Sequence, residues 1–289
     1  MGQIVETIWR IGHGRSLTLG RESLIMAIVN VTPDSFSDGG RHATTEAAFD
    51  HAMRCVGEGA AIVDIGGEST RPGAADVTPA EEQDRVLPVI ERLAREGDVV
   101  ISIDTYRAET ARLALAAGAH IVNDVHGLQR EPEIASVVAE ASAGVCIMHT
   151  GRGREKLADA IADQKVFFER SLAMAAAAGI GRDAIVLDPG FGFAKETEEE
   201  NVELMARFGE LREFGLPLLV GTSRKRFLGT LTGRQTSERD VATSATSALL
   251  RFEGASVFRV HNVAVNRDAL RVADAILAVR MRLTEGSAI

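Results

Sequence analysis

Cysteine, tryptophan and tyrosine are scarce in this sequence, and each scarcity excludes a class of site. The 289 residues include two cysteines, one tryptophan and one tyrosine. Cys55 and Cys146 fall in a predicted helix and a predicted buried strand, so we expect reduced core thiols and neither a disulfide nor a zinc site. One tryptophan and one tyrosine leave little material for a surface that stacks nucleic-acid bases.

The sequence also lacks an excess of positive charge and a long apolar run. The formal net charge is -9, which argues against nucleic acid as a partner because phosphate backbones are held chiefly by excess Lys and Arg. No apolar stretch approaches the ~18 residues needed to span a bilayer. The first ten residues contain Glu6 and lack the apolar segment of a secretory signal. We therefore expect a cytoplasmic protein without a nucleic-acid or membrane partner.

Eight short apolar runs, rich in Val and Ile, predict parallel β-strands. None alternates cleanly, which is typical of strands buried on both faces. The runs cover residues 24–30, 61–66, 99–104, 120–124, 145–149, 184–188, 216–221 and 256–261. Helical patterns lie between them, and the chain length is close to the ~250 residues typical of one α/β barrel. We predict a single (β/α)8 TIM barrel at 24–284, with a β-hairpin extension at 1–23 and a short tail at 285–289.

Local signals predict where several helices begin and end. Thr78-Pro79-Ala80-Glu81 has the pattern of an N-cap, a proline at the first helical position and a capping-box acid. Pro88 then predicts a kink or a restart in that helix. Left-handed helix C-caps are expected at the glycines that precede the later runs. These are Gly59, Gly97, Gly118, Gly144, Gly179, Gly215 and Gly254.

Polar residues at the ends of the runs favour a closed barrel over a doubly wound sheet, although strand periodicity fits both. A doubly wound sheet gathers its ligand at one switch point, whereas a barrel collects residues from many strand ends at one mouth. The strand-end residues are Asn30, the loop from Glu68 to Gly73, Asp104, Asn123, His149, Asp188, Ser223, Lys225, Arg259 and His261. Their chemistry predicts an enzyme site for a small anionic substrate.

The strand-end residues divide into two chemical groups. Asp104, Asn123 and Asp188 can accept and donate hydrogen bonds along the edge of a flat heterocycle. Lys225 and Arg259, among other residues, suit phosphate or carbonyl oxygens. Each residue also has a simpler interpretation: a lone Asp or Asn after a strand often caps the next helix.

Two histidines and two glycine-containing motifs are less informative. His149 and His261 can each be structural, an interpretation favoured for His149. The segment from Gly190 to Lys195 resembles a dinucleotide-binding loop, but Lys195 occupies the place of its third glycine. Ser223 lies in a near match to a nucleophile elbow, where Lys225 replaces the second glycine, so it is interpreted as a ligand-binding hydroxyl.

Several of these segments resemble the dihydropteroate synthase family, in the family's order. They are Asn30-Val31-Thr32-Pro33-Asp34-Ser35-Phe36-Ser37-Asp38-Gly39-Gly40, Asp64-Ile65-Gly66-Gly67-Glu68-Ser69-Thr70-Arg71-Pro72-Gly73, Ser102-Ile103-Asp104-Thr105, Asn123-Asp124-Val125, Asp188-Pro189-Gly190-Phe191-Gly192-Phe193, Ser223-Arg224-Lys225 and Arg259-Val260-His261. The resemblance implies an enzyme of folate biosynthesis that joins 6-hydroxymethyl-7,8-dihydropterin diphosphate to p-aminobenzoate, releases diphosphate and is inhibited by sulfonamides. It also implies a homodimer.

The resemblance carries a set of residue roles. It implies that Asp104, Asn123, Asp188 and Lys225 hold the pterin edge and that Arg259 stacks on the pterin face. Asp104, Lys225 and Arg259 are the implied catalytic residues. For the other groups it implies Asn30 as a ligand of Mg²⁺, Thr70, Arg71 and His261 at the diphosphate, and Phe36, Pro72 and Ser223 around p-aminobenzoate.

Some residues depart from the family pattern, and two rival functions stay open. The segment from Thr150 to Lys156 is atypical, Asn262 stands where Asp is common, and Ala194 stands where Gly is common. One rival is a methyltetrahydrofolate-binding methyltransferase domain, which shares the barrel but handles no diphosphate. The other is a pterin-binding paralogue without catalysis.

Overall fold

Eight parallel strands close into a barrel in the computed structural model, which describes residues 6–32, 40–69 and 77–286 and omits the side chains of 40–43 and 284–286. The barrel strands are β3 (Leu24–Asn30), β4 (Ile62–Gly66), β5 (Val100–Asp104), β6 (Ile121–Asp124), β7 (Gly144–Met148), β8 (Ile185–Asp188), β9 (Leu218–Val220) and β10 (Ala255–Val260). Each strand pairs with its neighbour in sequence, and β10 pairs with β3 to complete the ring. The predicted barrel is confirmed, and the doubly wound alternative is wrong.

Helices cover the outside of the barrel. They are α1 (Gly40–Glu58), α2 (Pro79–Glu96), α3 (Ala108–Ala116), α4 (Glu133–Glu140), α5 (Ala160–Ala177), α6 (Glu198–Ala206), α7 (Arg226–Thr232), α8 (Asp240–Phe252) and α9 (Val263–Gly286). Short 3₁₀ helices lie at Arg182–Ala184, Phe208–Phe214 and Thr236–Glu238. No helix among the described residues is long and apolar enough to cross a membrane.

The predicted N-terminal hairpin closes one end of the barrel. It consists of β1 (Thr7–Arg10) and β2 (Ser16–Leu19), which pair antiparallel. Trp9 is buried against an inner cluster to which every barrel strand contributes one apolar side chain, and its indole N–H donates to the Ala184 carbonyl at 2.9 Å. These inner side chains come from early positions in the strands, so the hairpin covers the N-terminal end. The C-terminal end is left for the site, as in other barrels of this kind.

Most of the predicted helix boundaries are confirmed, and three are corrected. Thr78 and Glu81 form the predicted capping box. Five of the seven glycines have the expected positive φ, but Gly97 is extended at -112° and Gly144 is the first residue of β7. Ser142 supplies the left-handed turn before β7 instead, at φ 49°. The helix α2 does not restart at Pro88.

Candidate active site

The C-terminal mouth of the barrel contains a pocket built by alternate residues of the strands. Because strand side chains alternate between two faces, Asn123, Asp188 and Arg259 point inward two residues after members of the inner apolar cluster, and Asp104 points inward four residues after Val100. The pocket encloses about 390 Å³, part of it open to solvent. Its lining residues are Asp104, Asn123, Val125, Met148, Asp188, Gly190, Phe191, Phe193, Gly221, Lys225 and Arg259. The structure thus brings together five of the polar residues selected from the sequence.

Arg259 is the centre of a charged cluster at one side of the pocket. Its Nε donates to Asp64 Oδ2 at 2.6 Å, and its Nη2 donates to Asp104 Oδ2 at 2.5 Å. Asn123 Nδ2 also donates to Asp64 Oδ2, at 3.0 Å. Two acids therefore fix the plane of the guanidinium, and the Asn123 amide holds one of those acids in place.

Asp64 is a functional residue that the sequence analysis did not select. It is fully buried in β4, and its Oδ1 has no hydrogen-bond partner among the described residues. The sequence contained a signal, because a carboxylate inside an apolar strand, two residues after inward-facing Ile62, must face the barrel interior. Asp64 acts by orienting Arg259 and Asn123.

Burial changes the protonation of the pocket acids. It raises the pKa of Asp104 to about 7, against the opposing effect of Arg259 and with a contribution from neighbouring Asp64. Burial also raises the pKa of Asp188 to about 6, although its Oδ1 accepts a hydrogen bond from the Gly190 N–H at 2.7 Å. Both carboxylates therefore titrate near neutrality, which is characteristic of functional sites.

Lys225 supplies the second cation of the pocket. It follows β9 immediately before α7, and its Nζ lies 4.2 Å from the centre of the Phe193 ring. Burial, together with repulsion from Arg259, lowers the pKa of Lys225 to about 8. The ammonium therefore lies over an aromatic face, and the Asp188 carboxylate is among the charges that act on it.

Ser223 and His261 form a pair at the ends of β9 and β10, next to the pocket. Ser223 Oγ lies 2.9 Å from His261 Nδ1 and accepts a hydrogen bond from the His261 backbone N–H at 3.1 Å. The nearby departure at Asn262 is also explained, because its side chain donates to Asp240 Oδ2 at 2.9 Å.

Asn30 ends β3 at the same mouth. A Cβ atom at Gly66 would lie 3.7 Å from both Asn30 Oδ1 and Asp104 Oδ2, so the glycine leaves open space between the two side chains. An amide oxygen is a hard ligand suited to Mg²⁺. The described residues contain no group of three His, Cys, Asp or Glu side chains able to hold a metal. The Asn30 amide oxygen is of the chemical type that ligates Mg²⁺.

Four selected residues lie outside the described ranges, namely Phe36, Thr70, Arg71 and Pro72. The residues flanking 70–76 are described, and Arg107 connects them. Its Nη1 donates to Glu68 at 2.6 Å and to buried Glu82 at 2.9 Å, and its Nη2 donates to the Val77 carbonyl at 2.7 Å. Sequence reasoning missed Arg107, which holds both flanks of this loop.

His149 lies behind the pocket, not in it. It is buried, and its Nε2 lies 2.9 Å from Asp163 Oδ2 on α5. Burial lowers the pKa of His149 to about 3, so the imidazole is neutral. The atypical segment supplies Arg154, which donates to both Asp163 oxygens at 2.8 and 2.6 Å.

Comparison with known proteins agrees with this geometry. Residues 26–261 match the family described as pterin binding enzyme. The chain is 42% identical over 274 residues to the dihydropteroate synthase of Escherichia coli strain K12, covering 93% of this chain and 96% of that protein.

Two solved structures give the same result. A Xanthomonas albilineans dihydropteroate synthase with 4-aminobenzoic acid has a TM-score of 0.89 and 43% identity, covering 95% of this chain and 99% of that one. The same organism's enzyme in complex with 7,8-dihydropteroate has a TM-score of 0.83 and 43% identity, covering 92% and 97%. The chain therefore belongs to the dihydropteroate synthase family of pterin-binding enzymes.

Proposed function

We propose that this chain condenses 6-hydroxymethyl-7,8-dihydropterin diphosphate with p-aminobenzoate, giving 7,8-dihydropteroate and diphosphate. The observation that carries the proposal is a single pocket in which two carboxylates and an amide face two half-buried cations. That set matches a flat heterocycle linked to an anionic leaving group. The similarity to dihydropteroate synthases, at 42% identity over nearly the whole chain, argues against the methyltransferase alternative.

The pterin ring is held by residues from three sides of the pocket. Asp188 accepts hydrogen bonds from ring N–H and amino groups, while Asn123 both donates and accepts at the ring edge. Lys225 donates to a ring carbonyl or nitrogen. Arg259 presents its guanidinium plane, fixed by Asp64 at 2.6 Å, for stacking on the face of the ring.

The reaction is a substitution at the methylene carbon of the pterin. The amine nitrogen of p-aminobenzoate forms a bond to this carbon, the C–O bond breaks, and its electron pair leaves with diphosphate. The amine then loses a proton to solvent. Positive charge develops on the pterin methylene, and the Asp104 carboxylate beside Arg259 stabilises it. The aryl amine is neutral and nucleophilic, so orientation contributes more than a general base.

Diphosphate is bound by cationic and polar groups at the edge of the pocket. Thr70, Arg71 and His261 are the proposed ligands, together with the outer face of Arg259. Mg²⁺, when bound, offsets the charge of the leaving group. Asn30 is its proposed protein ligand.

The p-aminobenzoate subsite is proposed to include Phe36, Pro72 and Ser223. Ser223 is described, and it lies at the mouth with its hydroxyl 2.9 Å from His261 Nδ1. Sulfonamides share the aryl amine of p-aminobenzoate, so we expect them to compete for this subsite. Exclusion of water from this subsite would prevent water from capturing the developing cation.

A homodimer is proposed through an apolar face on α8 and α9. Seven of the twelve exposed large hydrophobic residues among the described part of the chain lie on these two helices. They are Val241, Leu249, Val265, Val272, Ile276, Val279 and Leu283. A patch of this kind marks a protein–protein contact surface.

Action in the cytoplasm is also proposed, because Cys55 and Cys146 are free and buried, as expected in a reducing compartment.

The decisive experiment supplies purified protein with dihydropterin diphosphate, p-aminobenzoate and Mg²⁺, and measures diphosphate and dihydropteroate together. We expect equal amounts of both products, competition by a sulfonamide and loss of turnover with a chelator. A well-folded protein that forms no product would refute the proposed enzyme activity. Pterin diphosphate binding without turnover would instead support the non-catalytic paralogue.

A further inference from the structure

Lys195, which follows the pocket segment after β8, is a buried lysine with no part in the proposed reaction. The residue is 8% exposed. Its Nζ lies 2.9 Å from the Gly190 carbonyl, 3.4 Å from the Phe193 carbonyl and 3.1 Å from His149 Nδ1. An ammonium has three hydrogens, so these three neighbours provide one acceptor for each.

The third of these acceptors depends on the tautomer of His149. The imidazole is neutral, and its Nε2 faces the Asp163 carboxylate at 2.9 Å. A carboxylate only accepts, so Nε2 carries the hydrogen and Nδ1 is free to accept from Lys195. Arg154 Nη2 lies 2.8 Å from Nε2 but is closer, at 2.6 Å, to Asp163 Oδ2, to which it donates.

The other two acceptors belong to residues 190–193, which we name the pocket wall because Gly190, Phe191 and Phe193 line the cavity. The wall lies very close to β7: a Cβ atom at Gly190 would be 2.0 Å from the His149 carbonyl oxygen. Asn201 Oδ1 accepts from the Gly192 N–H at 2.8 Å. The wall therefore has little freedom to move while these bonds persist.

The Lys195 ammonium has no negative partner in direct contact among the described residues, and burial lowers the pKa of Lys195 to about 7. Replacing such a cation by an apolar side chain of similar length also removes the cost of burying a charge. Folding alone therefore does not account for the ammonium. The ammonium instead affects the geometry of the site. One carbonyl that it binds belongs to Gly190, the neighbour of Asp188, and the other belongs to Phe193, whose ring lies beneath Lys225.

We infer that Lys195 is a positioning residue for the pterin subsite, in which its ammonium joins the pocket wall to His149 and so fixes the distance between Phe193 and Lys225. The inference rests on the proposed function. It also gives His149, Asp163 and Arg154 a shared role, since they orient the imidazole that receives the third hydrogen bond. Lys195 acts on pterin diphosphate and leaves the p-aminobenzoate subsite unchanged.

The test compares Lys195→Met, which keeps the chain length and removes all three donors, with Lys195→Arg, which keeps charge and donors. Lys165→Met is the matched control, because Lys165 forms a surface ion pair with Glu213. KM for each substrate and kcat are measured, and calorimetry gives the affinity for pterin diphosphate. Turnover by the unmodified chain tests the proposed function separately.

For Lys195→Met we expect KM and Kd for pterin diphosphate to rise about tenfold, because small displacements of positioned groups are costly. KM for p-aminobenzoate and kcat should stay within about twofold, and Lys195→Arg should be intermediate. Unchanged affinity for pterin diphosphate would overturn the inference. A parallel change, in which both KM values rise and kcat falls, would overturn it as well. If Lys195→Met does not fold, the same criteria apply to Lys195→Arg against Lys165→Met.

Discussion

Asp104 combines a proposed catalytic charge with an unusual protonation equilibrium. Its side chain is 11% exposed and pairs with Arg259 at 2.5 Å. Asn has the same shape and can still accept from Arg259, so substitution removes charge and little else. The residue is therefore suited to separating transition-state stabilisation from folding.

For Asp104→Asn we expect kcat to fall at least about tenfold, because the developing methylene cation loses its nearby carboxylate. Thermal unfolding should shift by only a few degrees. Asp98→Asn is the control, since Asp98 is an exposed carboxylate paired with Arg15. Unchanged turnover in Asp104→Asn would remove this residue from the mechanism.

The pH profile of kcat/KM for pterin diphosphate should be bell-shaped. Asp188 and Asp104, with pKa values raised to about 6 and about 7, must lose protons before they can accept hydrogen bonds on both oxygens or stabilise a cation by charge. Lys195 and Lys225, with pKa values lowered to about 7 and about 8, must keep their protons. Activity therefore rises as pH increases through about 6 to 7 and falls through about 7 to 8, with apparent values that belong to the coupled group.

The variant Lys225→Arg tests whether Lys225 causes the loss of activity on the alkaline side of the profile. Arg stays protonated throughout this range, so the part of the fall near pH 8 should move upward, while the part near pH 7 that belongs to Lys195 and the acidic side stay in place. If the alkaline side of the profile is unchanged in Lys225→Arg, the loss of activity there belongs to another group.

Individual site residues differ in how well the sequence predicted them. Asp104, Asn123, Asp188, Lys225 and Arg259 were found because each follows or ends a recognisable strand, and they do share one pocket. The hydrogen-bond partners of these residues were not predictable. One Asp64 oxygen accepts hydrogen bonds from both Arg259 and Asn123, and this arrangement depends on barrel closure. Long-range pairings of this kind leave no local pattern in a sequence.

At the scale of elements, the segment after β8 contains a strained residue. Ala194 has φ 54°, a left-handed conformation that costs a residue with a Cβ atom about 1–2 kcal/mol. The family commonly has glycine here. The strain occurs next to Lys195 and the pocket wall, where the backbone must turn sharply to bring Lys195 back toward Gly190.

For Ala194→Gly we expect stabilisation of up to about 1 kcal/mol, because relief of strain exceeds the added entropy of the unfolded chain. Urea unfolding measures the change. Ala173→Gly, on an exposed position of α5, should instead destabilise by about 1 kcal/mol. Destabilisation by both variants would show that Ala194 is not strained.

Element boundaries were predicted well where one signal dominated. The capping box at Thr78 was sufficient to start α2. The glycine rule failed at Gly97 and Gly144 because other residues can end a helix: α2 ends in extended backbone, and Ser142 adopts the left-handed turn before β7. Pro88 is accommodated within α2 without ending it, an outcome that tertiary packing decides.

At the scale of the whole molecule, the apolar face on α8 and α9 is the feature that the barrel itself does not explain. Val272, Ile276, Val279 and Leu283 recur at spacings of three and four residues, so they lie along one side of α9. Leu249 on the adjacent α8 extends the surface. Sequence patterning could not identify this face, because every barrel helix has an apolar stripe.

The double variant Leu249→Glu with Val272→Glu should convert a dimer into a monomer of 30.8 kDa, because like charges would be buried at the two-fold contact. Sedimentation velocity measures the mass. Val202→Glu on α6, another exposed apolar position, should remain dimeric. A wild-type monomer, or a dimer unaffected by the double variant, would contradict the proposed interface.

One pair of neighbouring barrel strands has fewer paired residues than the others, and this junction lies at the pocket. β8 and β9 are paired in register only at Leu187 with Leu218, whereas the other neighbouring strands pair at three to five positions. Asp188 ends β8, and Lys225 follows β9. A pterin held by both would bridge the weakest junction of the ring, so binding and local opening are thermodynamically linked.

Amide hydrogen exchange should reveal this link. The amides of β9 should exchange faster than those of β4 in the free protein, since fewer ladder bonds must break. Pterin diphosphate at a hundredfold excess over its Kd should slow exchange in β9 by up to about a hundredfold, equivalent to about 2.7 kcal/mol. The substrate would then be a structural member of the barrel, completing a junction that the polypeptide alone leaves weakly bonded.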